Sequence, residues 1–245
     1  MRNPDRQTIF HFKQFSVSNA RSAMKIGTDG VLLGAWAFGD AECKPGRILD
    51  VGCGTGVISL MLAQRFADAV VTGVDIDADA VAEAAENFAA SPWGARLSAC
   101  HCDFNSIQAP SESYDLIISN PPFFTGGALA PDDARRTARH QEALTFAALF
   151  RGASALLRPG GRIAVVAPAE MRGELVAEAV LCAFTPVRVT MVRTVARKPP
   201  RRVLLECVKG NACGGCRTDE LLLAEADGAP GSEYARLVSP FYLKF

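Results

Sequence analysis

From residue 46 onward, short runs dense in branched apolar residues alternate with stretches of helical spacing, and few folds accommodate that order. Arg47–Val51, Val70–Asp75, Arg96–Cys102, Asp115–Ser119 and Arg162–Ala167 read as buried parallel strands. Between them, Val57–Phe66, Ala78–Ala90 and Glu142–Leu157 carry the spacing and the Ala, Leu and Glu content of helices, and Met171–Cys182 reads as another. Two closing strands follow, Val187–Arg193 and Val203–Val208. The Lys198-Pro199-Pro200-Arg201 turn between them favours an antiparallel hairpin. The glycine-rich stretch 210–232 reads as a loop before a short C-terminal segment. The expected architecture is α/β: a Rossmann-like, mainly parallel, seven-stranded twisted sheet with an antiparallel hairpin at one edge and helices on both faces.

The 245 residues are 49% hydrophobic and 21% charged, which suits one domain with a large core and excludes a disordered chain or a disulfide miniprotein. Twenty-six Lys and Arg balance 26 Asp and Glu, which argues against a uniformly basic nucleic-acid binder. The balance is uneven along the chain. Residues 31–130 hold 4 basic and 12 acidic side chains, whereas residues 131–210 hold 14 and 7. Two differently charged surfaces are expected, the basic one suited to phosphate; helix faces that merely differ in charge are the plainer account. The start of the chain is polar, with no apolar run behind it of the kind that marks a targeting segment. The longest apolar runs, Val31–Phe38 and Ile163–Ala169, fall well short of the roughly 20 residues that span a bilayer. Eight cysteines in such a chain read as reduced thiols, and a cytoplasmic location is expected.

The first strand runs into Asp50-Val51-Gly52-Cys53-Gly54-Thr55-Gly56, and a helix follows at once. Glycines at 52, 54 and 56 allow a sharp turn and let a ligand approach the main chain. A dinucleotide fingerprint has the spacing G-x-G-x-x-G; here it is G-x-G-x-G, with an acid two residues before the first glycine. An acid repels phosphate and suits a cationic aminoacyl group. That points to S-adenosylmethionine, which has an ammonium, a sulfonium and no phosphate. Asp75, with Ile76 after it, ends the second strand where a carboxylate can accept both ribose hydroxyls. Asp103, followed by Phe104, closes the third strand where the adenine amino group would lie. Strand ends and helix caps favour Asp in any case, and Asp77 and Asp79 read as caps.

The fourth strand, Tyr114–Ser119, leads into Asn120-Pro121-Pro122-Phe123-Phe124. Two prolines fix φ and remove two backbone donors, leaving carbonyls to face outward. The Asn120 side-chain oxygen and the Pro121 carbonyl can accept both hydrogens of an NH2 group, and Phe123 offers a stacking surface for the ring that bears it. Such a site works by positioning and needs no strong base.

Asn120–Phe123 resembles the Asn-Pro-Pro-aromatic motif of class I methyltransferases acting on amino or amide nitrogens. Phe10–Phe15, Ala23–Trp36 with its Gly27-Thr28-Asp29-Gly30, Ser91-Pro92-Trp93, Arg135–His140 and Arg197–Arg202 resemble the bacterial tRNA1(Val) adenine-37 N6-methyltransferase family. The similarity covers about residues 8–210. It implies a class I methyltransferase fold, S-adenosylmethionine as donor and adenine 37 of that tRNA as substrate. Residues 1–40 then form an extension that completes the cofactor pocket of a methyltransferase domain spanning 41–245. Lys25 could meet the cofactor's carboxylate, and Thr28 and Asp29 lie near its methionine end; a helix cap by Thr28 or Asp29 is the competing account. Release-factor glutamine and rRNA guanine-N2 methyltransferases share the Asn-Pro-Pro motif, and a non-catalytic RNA-binding protein of this fold is the alternative of another class.

Arg135, Arg136, Arg139 and His140 follow the reaction loop, and Arg193, Arg197, Lys198, Arg201 and Arg202 cluster around Pro199-Pro200. Both groups are candidate contacts for tRNA phosphates, with a solvated basic turn the alternative for the second. Cys213-Gly-Gly-Cys216 lacks a partnering pair of ligands, so no metal is expected. Cys100 and Cys102 read as core filler. No membrane partner is expected, and the oligomeric state is left open.

Overall fold

The computed structural model describes residues 9–22, 25–39, 45–107, 110–122 and 144–244. A small antiparallel hairpin, β1 (Ile9–His11) and β2 (Ser16–Ser18), comes first. The main sheet holds β3 (Arg47–Val51), β4 (Val70–Asp75), β5 (Leu97–His101), β6 (Tyr114–Ser119), β7 (Leu157–Pro168), β8 (Phe184–Arg193), β9 (Arg202–Lys209) and β10 (Arg217–Leu222). Their order is β10-β8-β9-β7-β6-β3-β4-β5. β3 to β7 run parallel, β9 is antiparallel to both neighbours, and β10 pairs parallel with β8.

Burial on both faces explains the near-continuous apolar runs. Ile48, Leu116, Ile118, Ala164 and Val166 enter one core, and their chain neighbours Leu49, Ile117, Ile163 and Val165 enter the other. α1 (Thr28–Trp36), α2 (Val57–Arg65) and α3 (Ala78–Ala89) cover the first face, joined by α6 (Ser232–Val238). α4 (Phe146–Leu156) and α5 (Arg172–Leu181) cover the second. The expected helix over 142–157 begins only after Thr145, whose Oγ1 accepts from the Ala148 amide at 3.1 Å; residues 142 and 143 lie outside the described residues. α1 is buried from Gly30 to Trp36, so its sequence has no polar face by which to recognise a helix.

Two expectations are corrected. Arg217–Leu222, taken from sequence as part of a loop, is an eighth strand outside the closing hairpin. Its Arg-Thr-Asp-Glu sequence suits an edge, where charges face water and discourage further pairing. Cross-strand ion pairs hold it to β8: Arg193–Glu220 at 3.0 Å and Arg188–Asp219 at 3.5 Å. Cys100 is exposed and not core filler, because β5 is the opposite edge and has a single neighbour, whereas Cys102, just past β5, is half-buried and packs against the second core.

The chain adds β4 and β5 on one side of β3, then returns to lay β6 and β7 on the other. The strand order reverses between β3 and β6, and α/β sheets bind ligands beyond the carboxyl ends of the strands at such a point. Val51 and Ser119 are register partners there, and the Ser119 hydroxyl donates to the Val51 carbonyl at 2.8 Å. The glycine loop and Asn120-Pro121-Pro122 therefore leave the sheet side by side.

Candidate active site

A cavity of about 650 Å³ opens at this crevice. Its wall takes in Val51–Thr55 of the glycine loop, Asp75–Asp77, Cys102–Phe104 and Ser119–Pro122. Ser22, Lys25, Ile26, Gly27 and Gly30 close it from the N-terminal side. The sequence reading missed Ser22 and Ile26, which carry no chemical signature of a ligand.

The glycine loop is fixed by β4. The Gly52 and Cys53 amides donate to the Val74 carbonyl at 2.8 and 3.0 Å. Asp75 braces the turn with both oxygens: Oδ2 accepts from the Gly54 amide at 2.8 Å and Oδ1 from the Asp77 amide at 3.0 Å. An ionised carboxylate has about four acceptor sites, so Asp75 keeps capacity for ligand hydroxyls. Gly52, at φ +73°, has open space where a side chain would stand. Gly56 differs: at φ +78°, a Cβ would fall 2.3 Å from the Phe88 ring of α3. It is absent from the cavity wall, and its glycine serves helix packing instead of ligand approach.

Asp75, Asp77, Asp79 and Asp103 all face the cavity, and Lys25 is the one basic residue in its described wall. The Lys25 ammonium is engaged by the Asn19 and Ala20 carbonyls at 2.7 and 3.2 Å. So acidic a wall opposes a pyrophosphate and suits a cation. Asp103 Oδ1 accepts from the Asn105 amide at 2.9 Å and from its side chain at 3.0 Å. Phe104 and the exposed Ile76 supply apolar wall, and Asp77, the cap of α3, accepts from the Asp79 and Ala80 amides at 2.9 and 3.4 Å.

Asp50 is fully buried just behind this wall. Its Oδ2 accepts from the Ser59 amide and hydroxyl at 3.1 and 2.7 Å, while Oδ1 has no partner. Burial pushes the carboxyl up to about 7, against the lowering effect of the Ser59 hydrogen bonds, and Asp75 adds to the rise. A folded-state pKa above the unfolded one stabilises the fold below the ordinary carboxylate range, and that contribution is lost as pH rises through about 7. In urea unfolding of the ligand-free protein, Asp50→Asn is therefore expected to gain stability relative to the parent between pH 5 and 8. A difference that stays constant over that range would show that Asp50 is ionised throughout.

Other expected contacts fall elsewhere. Thr28 and Asp29 do not line the large cavity; they border a smaller one of about 310 Å³ with Thr194, Arg201 and Arg202. Asp29 Oδ2 is bound to Arg202 Nε at 2.7 Å, which ties α1 to β9. Neither caps α1 with its side chain: the cap position is Gly27. Arg197, Lys198 and Arg201 are exposed on the β8–β9 connection, and Arg193 is held by Glu220 and the Lys198 carbonyl. Phe123, Arg135, Arg136, Arg139 and His140 lie outside the described residues. Among the described residues, no group of three His, Cys, Asp or Glu is placed to hold a metal ion, and no helix is long and apolar enough to cross a membrane.

The model of the methyltransferase small domain family matches residues 38–192. A tRNA1(Val) (adenine(37)-N6)-methyltransferase of Aeromonas hydrophila is 42% identical over 240 residues, covering 98% of this chain and 99% of that one. The protein of the same name from Porphyromonas gingivalis is 43% identical, over 96% and 94% of the two chains. The chain belongs to this methyltransferase family. It is an enzyme whose methyl donor is S-adenosylmethionine. Among solved structures, the "predicted O-methyltransferase, protein Atu636" of Agrobacterium tumefaciens shares the fold at TM-score 0.69 and 21% identity, covering 87% of this chain and 96% of that one. The T. thermophilus 16S rRNA N2 methyltransferase RsmC, in complex with AdoMet and guanosine, matches at TM-score 0.56 and 25% identity, over 83% and 50%.

Proposed function

We propose that the protein methylates N6 of adenine 37 in tRNA1(Val). One observation carries this reading: Asn120, Pro121 and Pro122 border the same acidic cavity as the glycine loop, at the reversal of strand order. An amine held there lies beside a cationic donor. The relatives named for this reaction, alike over nearly the whole chain, supply the substrate.

Asp75 takes the ribose hydroxyls, Asp103 the adenine edge, and Gly52 and Gly54 let the main chain approach. Asp50 does not reach the cavity; buried behind it, it ties β3 to the first turn of α2 through the Ser59 amide and hydroxyl. Residues up to 40 act as an extension that completes this pocket for the domain spanning 41–245. When bound, S-adenosylmethionine supplies an electrophilic methyl group on a cationic sulfur. Asn120 Oδ1 and the Pro121 carbonyl accept the two N–H bonds of the adenine amine, which favours a pyramidal nitrogen with its lone pair turned toward the donor. Pro122 stiffens the turn and Phe123 stacks on the base. The proton released on methylation passes to solvent. Arg135, Arg136, Arg139, His140, Arg197, Lys198 and Arg201 are proposed phosphate contacts; Arg202, already paired with Asp29, serves mainly to anchor that face.

The test is methyl transfer to an unmodified tRNA1(Val) transcript, with the product mapped by nucleoside mass spectrometry. N6-methyladenosine is expected at position 37 and none in a transcript carrying guanine there. In the same assay Arg201→Glu is expected to raise KM for tRNA severalfold without changing the affinity for S-adenosylmethionine. Methylation at another base or on protein would overturn the proposal.

A further inference from the structure

Glu83 lies in the middle of α3, where a glutamate ordinarily faces water, yet it is fully buried. Its carboxylate is ringed by donors from the N-terminal segment. Oε1 accepts from the Ala20 and Arg21 amides at 2.6 and 3.0 Å and from the Ser18 hydroxyl at 3.2 Å; Oε2 accepts from the Ser22 amide at 2.8 Å. Burial raises the pKa of this carboxyl, but the hydrogen bonds prevail and hold it below the ordinary glutamate value. One turn further along α3, Asn87 Oδ1 accepts from the Ser18 amide at 2.8 Å. Its Nδ2 donates to the Ser18 carbonyl at 3.0 Å and to the Thr55 carbonyl of the glycine loop at 2.9 Å. Apart from the Ser18 hydroxyl, every partner in this clamp is backbone, so it fixes the path of the chain.

We infer that Glu83 and Asn87 are positioning residues for methyl transfer, pinning residues 18–22 onto α3 so that Ser22, Lys25, Ile26 and Gly27 form one wall of the cofactor cavity. The inference rests on reading that cavity as the S-adenosylmethionine site. Neither residue borders the cavity, so each acts through the segment it holds. Asn87 also ties that segment to Thr55, so a single side chain joins the two halves of the wall. Glu83→Gln keeps the size of the side chain but turns one acceptor oxygen into a donor facing an amide, leaving a backbone N–H unpaired. Asn87→Ala removes the bridge, taking the acceptor from the Ser18 amide and the donor from the Ser18 and Thr55 carbonyls, and sets no donor against a donor.

In calorimetric titration with S-adenosylmethionine, both variants are expected to bind at least about tenfold more weakly than the parent. In steady state the loss is expected in KM for S-adenosylmethionine, with little change in kcat. By hydrogen exchange, amides 18–22 lose protection while those of β3 and β6 keep theirs. Unchanged protection at 18–22 in both variants overturns the inference, and so does affinity within twofold of the parent despite faster exchange there. If Glu83→Gln also loses protection in β3 and β6, Asn87→Ala decides alone. A parent that binds no S-adenosylmethionine overturns the cavity assignment and the inference together. A parent that binds it yet methylates no tRNA refutes the proposed function and leaves the clamp standing.

Discussion

Asn120→Ala is expected to lower kcat for methyl transfer at least about a thousandfold while leaving S-adenosylmethionine affinity within about threefold of the parent. The separation follows from position. On the proposed reading the donor is held chiefly by main chain after β3 and by carboxylates at the ends of β4 and β5, whereas Asn120 follows β6. Its amide also lies against α1, since a Cβ on Gly30 would be 3.7 Å from Asn120 Nδ2. On that reading, removing it takes away one of two acceptors for the amine and leaves the proposed hydrogen bonds to the donor in place. Single-turnover rates and calorimetry on the same preparation check both halves. Turnover above a tenth of the parent's would mean that the Pro121 carbonyl suffices, and the role given to the amide would be wrong.

The second large effect is structural. Gly56→Ala is expected to destabilise the fold by about 3 kcal/mol or more, lowering Tm by roughly 10 °C in a chain of this size. Two contributions add. The residue sits at φ +78°, and its Cβ would stand 2.3 Å from Phe88 Cε1 and 2.7 Å from Cζ. Gly52→Ala is the control, because it carries similar strain, at φ +73°, with nothing within 4 Å of the new methyl. The double variant Gly56→Ala/Phe88→Leu should be less destabilised than the two single variants together, since the smaller side chain relieves the contact. A Gly56→Ala protein that melts within 2 °C of the parent would show that α3 yields without strain.

The glycine loop illustrates how far sequence alone reaches. Three glycines in alternation after a strand announce a ligand loop, and the strand-end acids beside it select a cation over a phosphate. The division of labour among those glycines is not written in their spacing. Gly52 is shaped for close approach and Gly56 for contact with Phe88, 32 positions away in the chain. Thr28 and Asp29 show the same limit. They flank residues that border the cavity, yet a helix turns successive side chains by about 100°, and Asp29 swings to Arg202 instead.

Glu83 and β10 were illegible for two different reasons. A glutamate among alanines on an amphipathic helix reads as solvent-facing, because its partners are main-chain amides, which every residue possesses. Arg217–Leu222 has few of the apolar residues by which strands are recognised, and it is a strand because β8 offers it an open edge and matching charges.

The sequence by itself determined the α/β alternation, the glycine loop, the strand-end acids and the Asn-Pro-Pro turn. Each depends on local backbone geometry or on the period of apolar burial, and both are properties of short stretches of chain. Tertiary structure alone decided which carboxylates face the cavity and which are buried or paired, and how the N-terminal segment joins its wall. Those outcomes depend on contacts between residues far apart in the chain: Glu83 with Ser18–Ser22, Asp29 with Arg202, Ser119 with Val51. Hydrogen bonds and ion pairs of that kind leave no period in a sequence, because their partners are chosen by the packed sheet and not by their neighbours in the chain.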